Sequence, residues 1–433
     1  MIALLLNQLL ADAQIDFEAL EGCLRSSMLE IGRDALEQML NAVPQQASKM
    51  RLHCEEGHTT RSAVMRNKRV MTVLGTVEIH RPYYYDTFCQ QGWSPYDRMM
   101  DVDGTMFSPG VRNMMAYVGA KGPFREGQED LQRLATLDIT AKSIERLCGI
   151  IGKQVDAYQW QQEAGSDIRL LGNGKKKHET LYILYDGTGV PVLKRETVGR
   201  KGKDGPAKTR EVKVGCVFTQ TRLNADGYPE RDESSTTYVG ACEDAESFSA
   251  RITHMAEVRG LHQARRVCVI GDGAPWIWNI AEDRFPRATQ IIDLYHAREH
   301  YSTVAKMVFP NESNVLAQWN EKRKKELDDG DVTAVIVALN RLETRTQVVR
   351  DIRDTAIGYF QKNAHRMQYA DFRARGLFVG SGVIEAGCKT VVAQRLKQSG
   401  MHWTVQSAND IVALRCLFLG EQWDDFWEYR AAA

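Results

Sequence analysis

The 433-residue sequence has no Cys-x-x-Cys pair, no net charge, and no apolar run near the ~18 residues a membrane span requires. Each absence removes a class of protein. The 9 cysteines, an odd number without paired spacing, argue against a disulfide framework and for reduced thiols, so the chain is expected to be cytoplasmic. The amino-terminal "MIALLLNQLLADAQ" has no early Lys or Arg and is interrupted by Asn7 and Gln8, so it reads as the start of a helix rather than a leader. With 56 basic and 56 acidic residues, bulk charge points to neither nucleic acid nor membrane, and any basic surface has to be local. What remains, at 43% hydrophobic and 26% charged, has the composition of a globular protein too long for one core of about 250–300 residues.

The pattern along the chain divides it into six stretches. Residues 1–50 carry apolar positions at helical spacing before Pro44. Residues 51–100 hold "KRVMTVLGTVEIHRPYYY", an alternation around Gly75 that predicts a β-hairpin. Cys54, His58, His80 and Cys89 lie around it, but their spacing is irregular for a metal site, and zinc is not expected. Residues 101–172 return to helix, with Thr140 as an N-cap between two helices; a helix-turn-helix reader of DNA and a generic helix pair share this pattern. Residues 173–300 open with "LYILYDG", a short strand ending at Asp186; "GVPVLKR" and "REVKVGCVFTQ" read as its antiparallel neighbours and "SSTTYVG" as a third strand. Then "ARRVCVIGDGAPWIWNIAEDRF" and "TQIIDLYHAREHYSTVAK" each give a strand, an aspartate and a helix. This order predicts an α/β, RNase H-like mixed sheet. Residues 301–376 are charged and helical, an all-α insertion, and residues 377–433 close the catalytic domain with helices and a tail.

The carboxylates at strand ends carry the chemistry. Parallel strands set the residues at their C-terminal ends side by side, where α/β sheets bind ligands. Asp186 and Asp272 each end a predicted strand, and each is followed by glycine. Adjacent carboxylates repel unless a cation lies between them, and hard oxygen ligands favour Mg²⁺, with Mn²⁺ a substitute. Two ions about 3.5–4 Å apart activate a water or a 3′-hydroxyl for attack on a phosphodiester. A third carboxylate has to close the site, and Glu385 suits this role after Gly380-Ser381-Gly382. The bland alternative is an exposed Glu385–Lys389 pair.

Together, "LYDGTGVP", "VIGDGAPWIWNIA", "IIDLYHAREH" and "GSGVIEAGCKTVVAQRLKQSGMHWT" resemble the DDE transposases of bacterial insertion sequences, in the Kra-type group related to Mutator-like elements. The resemblance covers roughly residues 180 to 420. It implies Asp186, Asp272 and Glu385 as the metal-binding catalytic triad, spaced 272 − 186 = 86 and 385 − 272 = 113 residues apart. It also implies Asp293 and His296 as a supporting Asp-x-x-His motif. Relatives of this kind carry two cysteines after the Tyr-Tyr hairpin, where this chain has Asp86 and Cys89, which argues against a zinc-stabilised N-terminal module.

Candidate DNA contacts follow. Lys389, Arg395, Lys397 and His402 lie beyond Glu385 on the same predicted helix, and Trp403 next to them has the ring to stack on an unpaired base; Trp276 and Trp278 are weaker candidates. Arg200, Lys201, Lys203, Lys208 and Arg210 belong to a loop with 6 cations against 2 acids between Arg200 and Lys213. The expected function is cleavage of double-stranded DNA at the element's terminal inverted repeats and joining of the 3′-hydroxyls to target DNA, by a homodimer or larger assembly associated with the nucleoid. An RNase H-like nuclease or resolvase that cuts without joining, and a domesticated DNA-binding regulator, are the alternatives. A zinc hydrolase fails on the Cys/His spacing.

Overall fold

A computed structural model describes residues 16–42, 58, 64–166, 180–202, 205–310 and 313–432. Cys54, Pro44, Lys203 and the polar stretch 171–179 lie outside the described residues. The chain divides into two compact units, Met1–Leu147 and Cys148–Ala433.

In the first unit a long helix, α1 (Phe17–Ala42), accompanies an antiparallel sheet of β1 (Val64–Thr72), β2 (Gly75–Asp86) and β3 (Gln91–Trp93). The β1–β2 hairpin closes at the Thr72↔Gly75 pair, and Gly75 takes a φ of 120° that a side chain would resist. Val70, Val77 and Ile79 alternate inward and bury with Tyr96 and Val102, and Leu36 and Leu40 of α1 pack on them. Arg81 grips Asp97 with two nitrogens, at 2.9 and 3.0 Å, and Lys68 joins at 3.0 Å, so the buried carboxylate is fully compensated. His58 Nδ1 lies 3.2 Å from Cys89 Sγ and 4.0 Å from Asp86 Oδ2, whereas His80 turns to Asn67. Helices α2 (Pro109–Lys121) and α3 (Phe124–Ala135) follow. Then α4 (Ala141–Gln161) starts where Thr140 Oγ1 accepts the Ser143 N–H at 3.2 Å.

The second unit is built on a five-stranded mixed sheet. Its strands are β4 (Thr180–Pro191), β5 (Thr209–Gln220), β6 (Thr237–Ala241), β7 (Arg266–Gly271) and β8 (Thr289–Ile292), in the spatial order β6-β5-β4-β7-β8. The first three pair antiparallel; β4, β7 and β8 are parallel. One expectation fails here: "GVPVLKR" is not a separate neighbour of the first strand. Residues Gly187 to Pro191 continue β4 and pair with Thr209 to Lys213. The glycines there carry no side chain to mark a strand, and the pairing comes from the partner strand. Tyr182, Tyr185, Val214, Phe218, Cys268 and Ile270 are buried on the sheet.

Helices α5 (Ala245–Val258) and α6 (Pro275–Arg284) connect the later strands, and α7 (Leu294–Val308) leaves β8. A helical stretch follows: α8 (Ser313–Asp328), α9 (Val332–Asn340), α10 (Gln347–Asn363) and α11 (Tyr369–Ala374). It is fastened to the sheet by Tyr369, whose hydroxyl donates to the Ile292 carbonyl at 3.1 Å, and by Arg366, which bonds Gln290 and Glu282 and covers the Trp278 ring at 4.4 Å. The chain closes with α12 (Gly382–Gly387), running on through a π-helical turn at Cys388–Ala393, then α13 (Val405–Leu419) and α14 (Trp423–Ala432). Among the described residues no helix is long and apolar enough to cross a membrane.

Close packing of α4 on α13 depends on Gly152. A Cβ there would lie 2.6 Å from the Asp410 Cα, which is backbone and has little room to move. Gly152→Ala is expected to destabilise the protein by about 1–2 kcal/mol despite alanine's better helix propensity, measured as a lower midpoint in urea. An unchanged or raised midpoint would mean that the two helices do not meet at this glycine.

Candidate active site

The pairing register of the parallel strands determines where the aspartates sit. β7 pairs with β4 at a constant offset, 266 − 180 = 270 − 184 = 86, and carrying that offset two residues past the ladder sets Asp272 beside Asp186. β8 pairs with β7 at 292 − 271 = 21, which sets Asp293 beside Asp272. Three carboxylates thus share one row across the C-terminal edge of the parallel strands.

Each is held differently. Asp186 Oδ1 accepts the Gly187 N–H at 2.6 Å, and the Cys388 thiol reaches its Oδ2 at 3.7 Å. Asp272 Oδ1 accepts the Ala274 N–H at 2.8 Å, while its carbonyl accepts the Trp278 indole N–H at 2.9 Å. Asp293 is fully buried and works as a clamp. Its Oδ1 caps α7 through the His296 N–H at 2.7 Å, and its Oδ2 accepts the Ser381 N–H. The backbone around it is tied in twice more, from Asp293 N–H to the Gly271 carbonyl (2.8 Å) and from Leu294 N–H to the Val379 carbonyl (3.0 Å).

That clamp carries Glu385 to the sheet edge. Ser381 Oγ donates to Glu385 Oε1 at 2.8 Å, and His296 Nε2 lies 3.7 Å from the same oxygen. One ligand atom each from Asp293, His296 and Glu385 falls within 4.8 Å of the other two. Glu385 is half exposed and pairs with His296 rather than with Lys389, so the bland surface pair is not formed. The two halves of the site feel each other: Asp186 interacts electrostatically with both Asp272 and His296, and Cys388 with both Asp186 and Glu385.

Several residues here are not evident in the sequence. Cys388 lies three positions past Glu385; burial raises its thiol, with Asp186 adding to the effect, so it remains a neutral S–H. Tyr359, from α10, stacks on His300 at 3.7 Å between ring centroids, and a Cβ on Gly273 would run into its ring. This is why the residue after Asp272 is glycine. Burial keeps the Tyr359 hydroxyl protonated, with Asp272 and Asp293 contributing, and lowers the His300 imidazole.

The candidate DNA contacts separate into two sets. Lys389, Lys397, His402, Arg200, Lys201 and Lys208 are exposed, Lys397 reaching Thr188 Oγ1 at 2.6 Å just past Asp186. Arg210 is half-buried, bonding the Glu196 carbonyl. Arg395 and Trp403 are corrections. Arg395 has 0% exposure and stacks over the Trp403 ring at 5.2 Å; Trp403 is buried and donates its indole N–H to the Leu396 carbonyl at 3.0 Å. They lock the segment that follows Glu385 onto the end of β4, so neither is open to a phosphate or a base. Trp278 is buried as well, and Trp276 packs on Tyr185 and Phe248.

The fold and site define a mixed α/β protein with an acidic sheet edge completed by a carboxylate from a late helix. A family profile matches residues 10–419, and the chain belongs to the Uncharacterised protein family (UPF0236). No curated protein sequence matches it. A solved structure, the Drosophila P element transposase strand transfer complex, is similar with a TM-score of 0.26 and 10% identity, over 76% of this chain and 81% of that one. Similarity this low leaves the chemistry to be argued from the residues.

Burial raises the Asp186 carboxyl above the ordinary range, and Asp272 adds to the shift; the Gly187 N–H, Cys388 and His296 oppose it. A raised carboxyl is a cost to the folded state while it is ionised, and that cost disappears as pH falls through its titration. Without divalent metal, Asp186→Asn is therefore expected to melt above the wild type at neutral pH and to lose that advantage in acid. Calorimetry across the range checks this; a variant that melts lower at neutral pH would show the carboxylate to be stabilised instead.

Proposed function

We propose that this chain is a metal-dependent DDE transposase that cuts DNA at the ends of its element and joins the freed 3′-hydroxyls to target DNA. The observation that carries the reading is the in-register Asp186–Asp272 pair with Glu385 brought to the same edge by the Asp293–Ser381 clamp. The strand order supports it: three antiparallel strands followed by two parallel ones, with a helical stretch before the last acidic helix, is the order of an RNase H-like catalytic domain. The motif resemblance across residues 180 to 420 points the same way.

The residues fit a divalent cation. Three carboxylates provide hard oxygen donors, the like charges of Asp186 and Asp272 call for a counter-charge, and glycines follow both aspartates. Bound at Asp186, Asp272 and Glu385, Mg²⁺ or Mn²⁺ would supply Lewis-acid activation of the nucleophile and neutralise the scissile phosphate. The protein's own groups do the rest. His296 and Ser381 orient Glu385, and Asp293 holds both of their segments. Lys397, fixed on Thr188 just past Asp186, would neutralise backbone phosphates, and Lys389, exposed four residues past Glu385, would add to it. A homodimer would let both element ends be held together; exposed Phe17, Met28, Ile31 and Met39 on α1 are apolar surface available for it.

The test is a labelled duplex carrying the element's own end, with Mg²⁺. The wild type is expected to nick and join, while Asp272→Asn and Glu385→Gln still bind but lose at least about 100-fold in cleavage; His296→Ala, which removes the imidazole beside Glu385 and Asp186, loses about 10–100-fold. Cutting without joining would replace the reading by a nuclease or resolvase. Binding without any cleavage by the wild type would replace it by a regulator.

A further inference from the structure

The tryptophans that the sequence offers for base stacking are packed away: Trp278 and Trp403 are buried, and Trp276 lies on Tyr185 and Phe248. A tyrosine stands at the acidic edge instead. Tyr295 is the second residue of α7, between Asp293, which caps that helix, and His296, which reaches Glu385, and it is 62% exposed. The other large aromatics exposed among the described residues of this unit are engaged or distant. Trp160 stacks on His254, Tyr429 bonds Gln161, and Tyr228 lies in the turn that follows Gln220, which pairs with Thr180 at the opposite end of β4.

The Tyr295 ring is held without being covered. A Cβ on Gly380 would lie 3.2 Å from its Cε2 and 3.7 Å from Asp293 Oδ2, so the ring and the carboxylate flank the same glycine. Arg298, one helical turn on, sets its guanidinium 5.6 Å from the ring centroid and is anchored by Asp328. A ring fixed in this way loses little further freedom on binding. Tyr295 also borders a cavity of about 510 Å³ between α7 and α8. The lining is mixed in charge, Arg298, Lys306 and Lys324 with Glu299 and Glu321, so the ring rather than an excess of cations selects the ligand. A flat π-face beside polar groups fits a nucleobase with its sugar and phosphate.

We propose that Tyr295 stacks on an unpaired base next to the cut, with the attached sugar and phosphate entering the cavity between α7 and α8. The choice of a DNA base rests on the proposed function.

The experiment uses the full chain and a labelled duplex carrying the element's own end, nicked at the element boundary. Binding is measured without divalent metal, for this duplex and for copies with the base removed at single positions on either side of the nick. Tyr295→Ala is expected to bind the complete duplex about 5–150-fold more weakly than the wild type, Tyr295→Phe to restore binding, and all three proteins to melt at the same temperature. At one abasic position the wild type and Tyr295→Ala should bind alike, because the base that the ring would cover is gone. Equal affinity of Tyr295→Ala and wild type for the complete duplex would overturn the inference and leave the proposed function standing. So would a gap that persists at every abasic position, since the ring would then act on the fold and not on a base. A wild type that binds none of the duplexes would remove the DNA reading itself, and this inference with it.

Discussion

The parallel pairing of β4 with β7 is the constraint on which the rest depends. Its offset of 86 residues equals the spacing of Asp186 and Asp272, so the backbone ladder, not side-chain packing, decides that two carboxylates meet at one edge. A slip by one residue would turn one of them to the opposite face of the sheet. Tyr182 and Tyr185 on β4 and Cys268 and Ile270 on β7 are buried, so the ladder that sets the offset is shielded from water. An energetically awkward acidic pair is thus held by an interaction that has no acid in it.

Glu385 reaches the same edge by a separate route. Asp293, the next carboxylate in the row, uses one oxygen to start α7 and the other to hold Ser381, and Ser381 in turn orients Glu385. The helical stretch between them is not a passive insert. Tyr359 packs over Gly273, and Tyr369 and Arg366 bind it to β8 and α6. The π-helical turn directly after Glu385 brings Cys388 to Asp186, and such turns recur at functional sites.

Much of this was legible in the sequence. Apolar runs ending in Asp-Gly mark strand ends whatever the tertiary context, and "ARRVCVIGDG" and "TQIIDLYH" show where two parallel strands stop. The extension of β4 past Gly187 was not legible, because strand pairing there is supplied by β5. Arg395 and Trp403 were misread as surface for a related reason: a cationic helix looks solvated until its partner strand is known, and here the guanidinium stacks on an indole against β4. Cys388 and Tyr359 reach the site through packing of segments far apart in the chain.

The central claim is that carboxylates from β4, from the end of β7 and from α12 form one cation site. Calorimetric titration of Mn²⁺ into the wild type, Asp186→Asn and Glu385→Gln tests it without DNA. The account predicts saturable binding by the wild type and an affinity at least about tenfold lower in each variant, because each would remove an oxygen donor from the proposed cation site. Titrations of both variants that superimpose on the wild type would contradict it.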